Sequence, residues 1–335
     1  MKAKSVWGAA FVFITWLEAM GAFAAGAPGP SLLKAKQEAE AKGFVFLTHH
    51  DEIVSLAKKE GKIRVLSGQD QNSLKAVIDA FKKKYPFVDV RGEAIHGTEI
   101  YTRMLHEMKA GLARWDVNYI AGDFYPDYVP LQKKFDLLGM AQHGVVDIPV
   151  KMVDPVNRHI VALQSNIQVV AFNKELISAD KVPGTWEDFA KPEFKDRKFA
   201  TDVRPKNFAA LVPAWGWEKT VAFAKKLAAQ NPVWLRGDAQ MVTYLMAGEF
   251  PLLIGPNYKT VIRIQPKDVK GVLGYKVVEP IPTRLSQTQA VLATAESPHA
   301  ALLWLEFQAG VEGQKILDEV DLSASIFSPG SGHVP

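Results

Sequence analysis

Apolar and polar positions alternate between two periods along the first third of the chain. In SLKAVIDAFKKKYP, Leu74, Val77, Ile78 and Phe81 recur at spacings of three and four, the signature of a helix with one apolar face, and Pro86 ends it. The runs on either side, KIRVLSG and VDVRGEAI, are short, β-rich and bounded by glycine or proline, as strands are. TEIYTRMLHEMKAG is helical again, with Thr98 as its candidate cap, and WDVNYIAG is a further strand. Upstream, Ser31 to Lys42 reads as a polar helix with Ser31 as a possible cap, and Asp51 to Glu60 as a helix that stops at Gly61. Strand and helix alternate three times, which predicts a parallel sheet covered by helices.

The middle of the chain changes character. HIVALQSNIQVVAFN is a long β-rich stretch that could pass from one lobe to another. A polar segment follows to Lys198, containing TWEDF, where Thr185 with Glu187 or Asp188 suits a helix start. Beyond it lie the strand KFATDV, the amphipathic helices TVAFAKKLAAQ and DAQMVTYLMAGE, the short strand FPLLIG, the extended YKVVEPIP and closing helices in SPHAALLWLEFQAGVEGQKIL. The second half therefore carries its own strands and helices, and two α/β lobes are expected.

Composition adds limits. At 335 residues, 48% hydrophobic and 23% charged, the chain suits a globular protein with a large core, and no fixed-period repeat suggests a solenoid. Lys2 and Lys4, the apolar run Val6 to Leu17 and the small residues Gly21 to Ala25 have the layout of a secretory signal over residues 1–24, cut after Ala24. The mature form is then exported and not embedded in a membrane. There is no cysteine, which excludes disulfides, thiol catalysis, cysteine–zinc sites and a lipidated cysteine. The net charge of +4 is interspersed and Lys82-Lys83-Lys84 is the longest basic run, a solvated helix face rather than a nucleic-acid patch. No G-x-S-x-G, H-E-x-x-H or G-x-x-x-x-G-K-[ST] occurs, and no catalytic residue or enzymatic activity is assigned.

EGKIRVLSGQD, AFKKKYP, WDVNYIAGD, VAFNKEL, TWEDFAKPEFKDRKFATDVRP, LMAGEFPLLIG and LEFQAGVEGQKIL occur in this order across about 280 residues. Together they resemble the periplasmic solute-binding proteins of ABC importers, in the branch that contains ferric-ion-binding proteins. The resemblance implies the two-lobed α/β periplasmic-binding-protein fold of class II type, each lobe a mixed sheet flanked by helices, closing on its ligand by a hinge. Lobe 1 would comprise residues 25–163 with 278–315, and lobe 2 residues 164–277 with 316–335. A monomer in the periplasm, a small-molecule ligand and an importer permease as partner are implied as well, with no cofactor and no bound nucleic acid; an exported enzyme or a ligand sensor on the same fold is the alternative to transport.

Ligands of open α/β sheets sit beyond the carboxyl ends of strands, so the loops there supply the candidates. SGQD offers Gln69 and Asp70, with capping of the next helix by Asp70 or Ser73 as the competing role. HGTE offers Thr98, again either cap or ligand contact, while His96 reads as a loop histidine. AGDFYPDY offers Gly122 for close backbone approach. DVRPKN offers Arg204, Lys206 and Asn207 after a strand, and an arginine fork suits carboxylate or phosphate. Arg236 occupies a comparable loop.

GPNYKTV adds Tyr258 and Lys259, and with them a choice of ligand. The ferric-binding relatives hold iron with a histidine, a glutamate and two adjacent tyrosines. The resemblance places these near Asp70, near Ala121, and on Tyr258 and Lys259, so a lysine replaces one tyrosine. An ammonium beside a ferric ion is repelled by several kcal/mol where screening is poor. The expectation is therefore a small anionic organic solute, such as a carboxylate, phosphonate or phosphate ester, with no metal site; ferric iron is the alternative.

Overall fold

The computed structural model describes residues 28–204, 206–328 and 330; the signal segment expected over residues 1–24 lies outside them. The first half of the chain runs α1 (Pro30–Ala41), α2 (His50–Glu60), β1 (Lys62–Ser67), α3 (Gln71–Lys84), β2 (Asp89–Ala94), α4 (Thr98–Lys109), β3 (Val117–Tyr119), α5 (Tyr125–Tyr128) and α6 (Leu137–Gln142). The long strand β4 (Val161–Asn173) follows. Next come β5 (Phe199–Asp202), α7 (Lys206–Ala209), α8 (Val212–Trp215), α9 (Trp217–Ala228), β6 (Val233–Leu235), α10 (Asp238–Met246), β7 (Leu252–Asn257) and α11 (Tyr258–Ile264). The chain closes with β8 (Leu273–Lys276), β9 (Thr283–Val291), α12 (Pro298–Ala309) and α13 (Val311–Asp321).

The helix expected from Leu74 to Phe81 buries those two residues and Val77, and Gly61 ends α2 in the left-handed region with its N–H on Ala57. Two expected caps move. Pro30 opens α1 behind Gly29, so Ser31 sits inside the first turn. Gly97, at φ 96, precedes α4, and Thr98 is its first helical residue rather than its cap. Around TWEDF, Thr185 Oγ1 accepts from the Asp188 N–H at 3.3 Å and Asp188 Oδ2 accepts from the Thr185 N–H at 3.2 Å, a reciprocal cap on a single 3-10 turn.

The strands form one path, β2-β1-β3-β9-β4-β7-β5-β6, with β8 on β4. Each half has its own parallel trio: β1 lies parallel to β2 and β3, and β5 parallel to β6 and β7. The connection between them is antiparallel, so the sheet is mixed. The first part of β4, Val161 to Ile167, pairs with β9, and the remainder, Gln168 to Asn173, pairs with β7 and β8. One 13-residue strand thus belongs to both halves.

Four apolar clusters among the described residues, two in each half, flank that strand. The first half packs around Trp304, Phe81, Phe307, Val65 and Leu163, and α12 is buried from Ala300 to Ala309, which is why its sequence is apolar on all sides. The second half packs around Trp186, Phe189, Phe199, Leu252 and Ile254. Among the described residues no helix is long and apolar enough to cross a membrane.

Candidate ligand site

The loops after β1 and β3 lie against β9, with Gly68 beside Gln287 and the Ile120 N–H on the Thr288 carbonyl, and those after β5 and β6 meet the end of β7 at Gly255 and Asn257, beside β4. The key local feature is a bulge. The pairing of β4 with β7 shifts register between Gln168 and Val170, opposite Gly255. Gly255 takes φ +77, which side-chain-bearing residues rarely adopt, and a Cβ there would lie 3.1 Å from that of Asn207. Beyond the bulge, Asn257 Oδ1 accepts from Gln168 Nε2 at 3.0 Å and from Arg284 Nη2 at 3.1 Å.

Arg284 stands on β9 directly opposite Asn166, and Ser286 opposite Gln164. With Gln168 two residues on, they form a polar stripe on one face of the paired strands. The stripe is not internally satisfied. Gln164 Oε1 and Nε2, Asn166 Oδ1, Gln168 Oε1, Arg284 Nε and Ser286 Oγ are buried without a hydrogen-bond partner among the described residues. Buried polar atoms normally find partners, so this face is arranged to meet water or a ligand.

Three cations surround it, in different states. Arg204 places its fork on Asp202, Nε to Oδ1 at 2.9 Å and Nη2 to Oδ2 at 2.6 Å, and those bonds hold the guanidinium above its usual pKa. Lys206, at the head of α7, has its pKa lowered by burial first and by Arg284 second. Burial also lowers Arg284. Among the described residues neither Lys206 nor Arg284 has a carboxylate within ion-pair distance. Two partly buried cations that repel each other, with carboxylates in electrostatic reach but none in contact, are suited to an anion.

The residues expected from the sequence divide accordingly. Asp70 caps α3, accepting from the Asn72 and Ser73 N–H groups at 3.0 Å each, so the capping role is the one it fills. Gln69 is buried, with Oε1 accepting from Ser67 Oγ at 3.3 Å and Nε2 donating to Gln308 Oε1 at 3.4 Å, in a network that continues to Gln289 and Trp304. Thr98 starts α4, and Gly122 starts a 3-10 turn with open space around it. Asn207 donates from Nδ2 to the Gly255 carbonyl at 2.6 Å and keeps Oδ1 buried and unpartnered. Tyr258 opens α11 with its ring edge-on to Tyr275 at 5.4 Å, and burial followed by the Tyr275 hydroxyl raises its pKa.

Lys259 is turned elsewhere. Its Nζ lies 3.2 Å from Asp321 Oδ2, and Arg263, one turn on, reaches Asp321 Oδ1 at 2.6 Å and Asp70 Oδ2 at 3.1 Å. Ser73 and Ser323 hydroxyls also donate to Asp321, which is buried. This clasp joins α11 to the ends of α3 and α13, and its charge is internally balanced. The sequence reading passed over Arg284, Asp238 and Asn257. The available signal was the period-two series Gln164, Asn166, Gln168 within an apolar strand, together with the lone arginine in TRLSQTQAV. Among the described residues no group of three or more His, Cys, Asp or Glu could hold a metal ion. A separate cavity of about 1020 Å³ lies on the first half, where His50 Nε2 pairs with Glu306 at 2.8 Å.

Residues 130–331 match the bacterial extracellular solute-binding protein family, and the chain belongs to it. No curated protein matches it in sequence. Solved structures share the fold. Ferric iron-binding protein A of Mannheimia haemolytica, in an open conformation, is similar at TM-score 0.64 and 20% identity over 81% of this chain and 87% of that one. A Trichodesmium protein (IdiA, FutA) in complex with iron and citrate gives 0.61 and 18% over 81% and 88%. The substrate-binding protein of an ABC transporter from Agrobacterium tumefaciens gives 0.60 and 19% over 82% of each. The fold is thus the periplasmic-binding-protein fold expected from the sequence.

Proposed function

We propose that the chain is the exported ligand-capturing component of an ABC importer, which holds an anion between its two halves and hands it to a membrane permease. The observation that carries this reading is the pair Lys206 and Arg284, partly buried, mutually repulsive and without a carboxylate partner among the described residues. The unpartnered polar stripe beside them supplies hydrogen-bonding capacity, and water exclusion on closure would strengthen both charges. The continuity of β4 across the halves, with β9 alongside, supports a hinge there. In this scheme the proposed lobes, residues 25–163 with 278–315 and 164–277 with 316–335, meet near that crossing. Helix α13, packed on α3 and α12 with Leu317 in the first-half core, would travel with the first half, which moves the proposed boundary at residue 316 to beyond Asp321.

A second reading is ferric iron, and the comparisons favour it over a free organic anion, because the similar structures include ferric-ion-binding proteins. The donors inferred from that resemblance are not assembled here: Asp70 is spent on its cap and on Arg263, and Lys259 stands beside Tyr258. An iron–polycarboxylate chelate is itself an anion and would satisfy both readings; the Trichodesmium protein holds iron with citrate.

Calorimetric and thermal-shift titration with carboxylates, phosphonates, ferric chloride and ferric citrate separates them. An anion response that Arg284→Gln and Lys206→Gln weaken supports the first reading. A visible tyrosinate-to-iron absorption band, with no response to any organic anion, overturns it in favour of iron.

A further inference from the structure

An anion site explains Arg284 and Lys206 and leaves Asp238 without a role. Asp238 begins α10, and its Oδ2 accepts from the Asn257 backbone N–H at 3.0 Å. Its Oδ1 is buried with no hydrogen-bond partner among the described residues. Asn257 also holds Arg284, through its side-chain oxygen at 3.1 Å, while Arg284 Nε is buried and equally unpartnered. One residue at the carboxyl end of β7 therefore positions a carboxylate through its main chain and a guanidinium through its side chain. Asp238 is the strongest electrostatic influence favouring the charged form of Arg284, and it acts on Lys206 too, yet no ion pair closes between them. A dehydrated carboxylate oxygen and a dehydrated guanidinium N–H, near each other and both open, are costly unless a third party completes both.

We propose that the ligand of this cleft is an amino-carboxylate, its acid group bound by Arg284 and Lys206 and its ammonium bound by Asp238 Oδ1. The inference rests on the anion reading above and adds to it the second charge. With Arg204 and Asp202 cancelling each other, the open groups that are at least partly buried are two cations and one anion, and the exposed Asp123 on the loop after β3 adds a more distant carboxylate. An amino-dicarboxylate complements all three, and an amino-monocarboxylate shares its acid group between the cations. A ligand with carboxylates alone, a ferric chelate included, brings like charge against Asp238 and leaves its oxygen unmet.

The test is calorimetric titration of the full mature chain, freed of bound molecules by unfolding and refolding, with glycine, β-alanine and glutamate against acetate, propionate and glutarate. At least one amino probe is expected to bind roughly 30-fold or more tightly than its counterpart lacking nitrogen. Asp238→Asn, which keeps an acceptor for the Asn257 N–H, is expected to erase that preference. Equal binding of matched probes, or an unchanged preference in Asp238→Asn, overturns the proposal. The matched wild-type pairs decide even if that variant fails to fold. If plain carboxylates bind through Arg284 with no preference for nitrogen, the amino-carboxylate proposal fails and the anion reading stands. If no probe of either kind binds, the amino-carboxylate proposal fails, and the anion reading fails with it unless a phosphonate or ferric citrate binds in the same titration.

Discussion

Two pairs of cations face the junction of the halves, and they are built in opposite ways. Lys259 and Arg263 both end on Asp321, and Arg263 also reaches Asp70, so their charge is cancelled by carboxylates of the other half. Lys206 and Arg284 have no such partners, are pressed below their ordinary pKa values by burial, and sit beside a stripe of open polar atoms. The first pair is a fastening, and the second is the anion site of the proposed reading. Residue type does not distinguish them, since each pair is one lysine and one arginine. The location of the nearest carboxylate does.

The largest effect is expected at the fastening. Asp321→Asn removes the negative charge that Lys259 and Arg263 share and is expected to lower the unfolding free energy by about 3 kcal/mol, measured by urea titration. A loss below about 1 kcal/mol would mean that the clasp is solvent-screened and the contrast is smaller than the distances suggest.

Next comes the proposed anion site. Arg284→Gln is expected to weaken any anion bound in the cleft by roughly 30-fold, while the melting temperature holds or rises because a partly buried unpaired cation has been removed. A lowered melting temperature with unchanged affinity would reverse the assignment.

A pH series gives a smaller effect with a definite sign. Burial places the Lys206 ammonium below its ordinary value near 10.5 in the free protein, and a bound anion restores it. Binding therefore takes up a proton in the window between those two values. Affinity should be flat below the free-protein pKa and fall as pH rises through it toward 10.5. The cost of keeping Lys206 charged in the fold runs in the other direction: it is fully present below that pKa and is relieved as pH rises. Calorimetry in buffers of different ionisation heat detects the proton, and Lys206→Arg should abolish the uptake.

The smallest effect separates the clusters most sharply. Lys259→Met is expected to cost about 1 kcal/mol or less, because Arg263 still neutralises Asp321, and to leave cleft affinity within about twofold. A large loss of affinity would return Lys259 to the ligand site, where its place in GPNYKTV first put it.

Much of the architecture was legible from local pattern. Helix α3 follows from Leu74, Val77 and Phe81, the end of α2 from Gly61, and the long crossing strand from HIVALQSNIQVVAFN. The misplaced caps at Ser31 and Thr98 share one cause, a neighbouring proline or glycine that sets the backbone before the hydroxyl residue is reached. The site was less legible. Arg204 and Lys206 stand two residues apart in one loop, yet Asp202 beneath the first neutralises it and leaves the second open.

The sequence by itself determined the alternating elements, the absence of cysteine chemistry, the expectation of two α/β lobes and the loops in which ligand residues could lie. These depend on periodicity and turn chemistry, which act over a few residues. Only the tertiary structure decided which charges are spent and which remain available. Asp321 reaches Lys259 across 62 positions of chain, and the bulge at Gly255 aims Asn257 at Arg284, 27 positions away. Electrostatic pairing depends on distance in space, and that distance exists only after the chain has folded around β4 and β9.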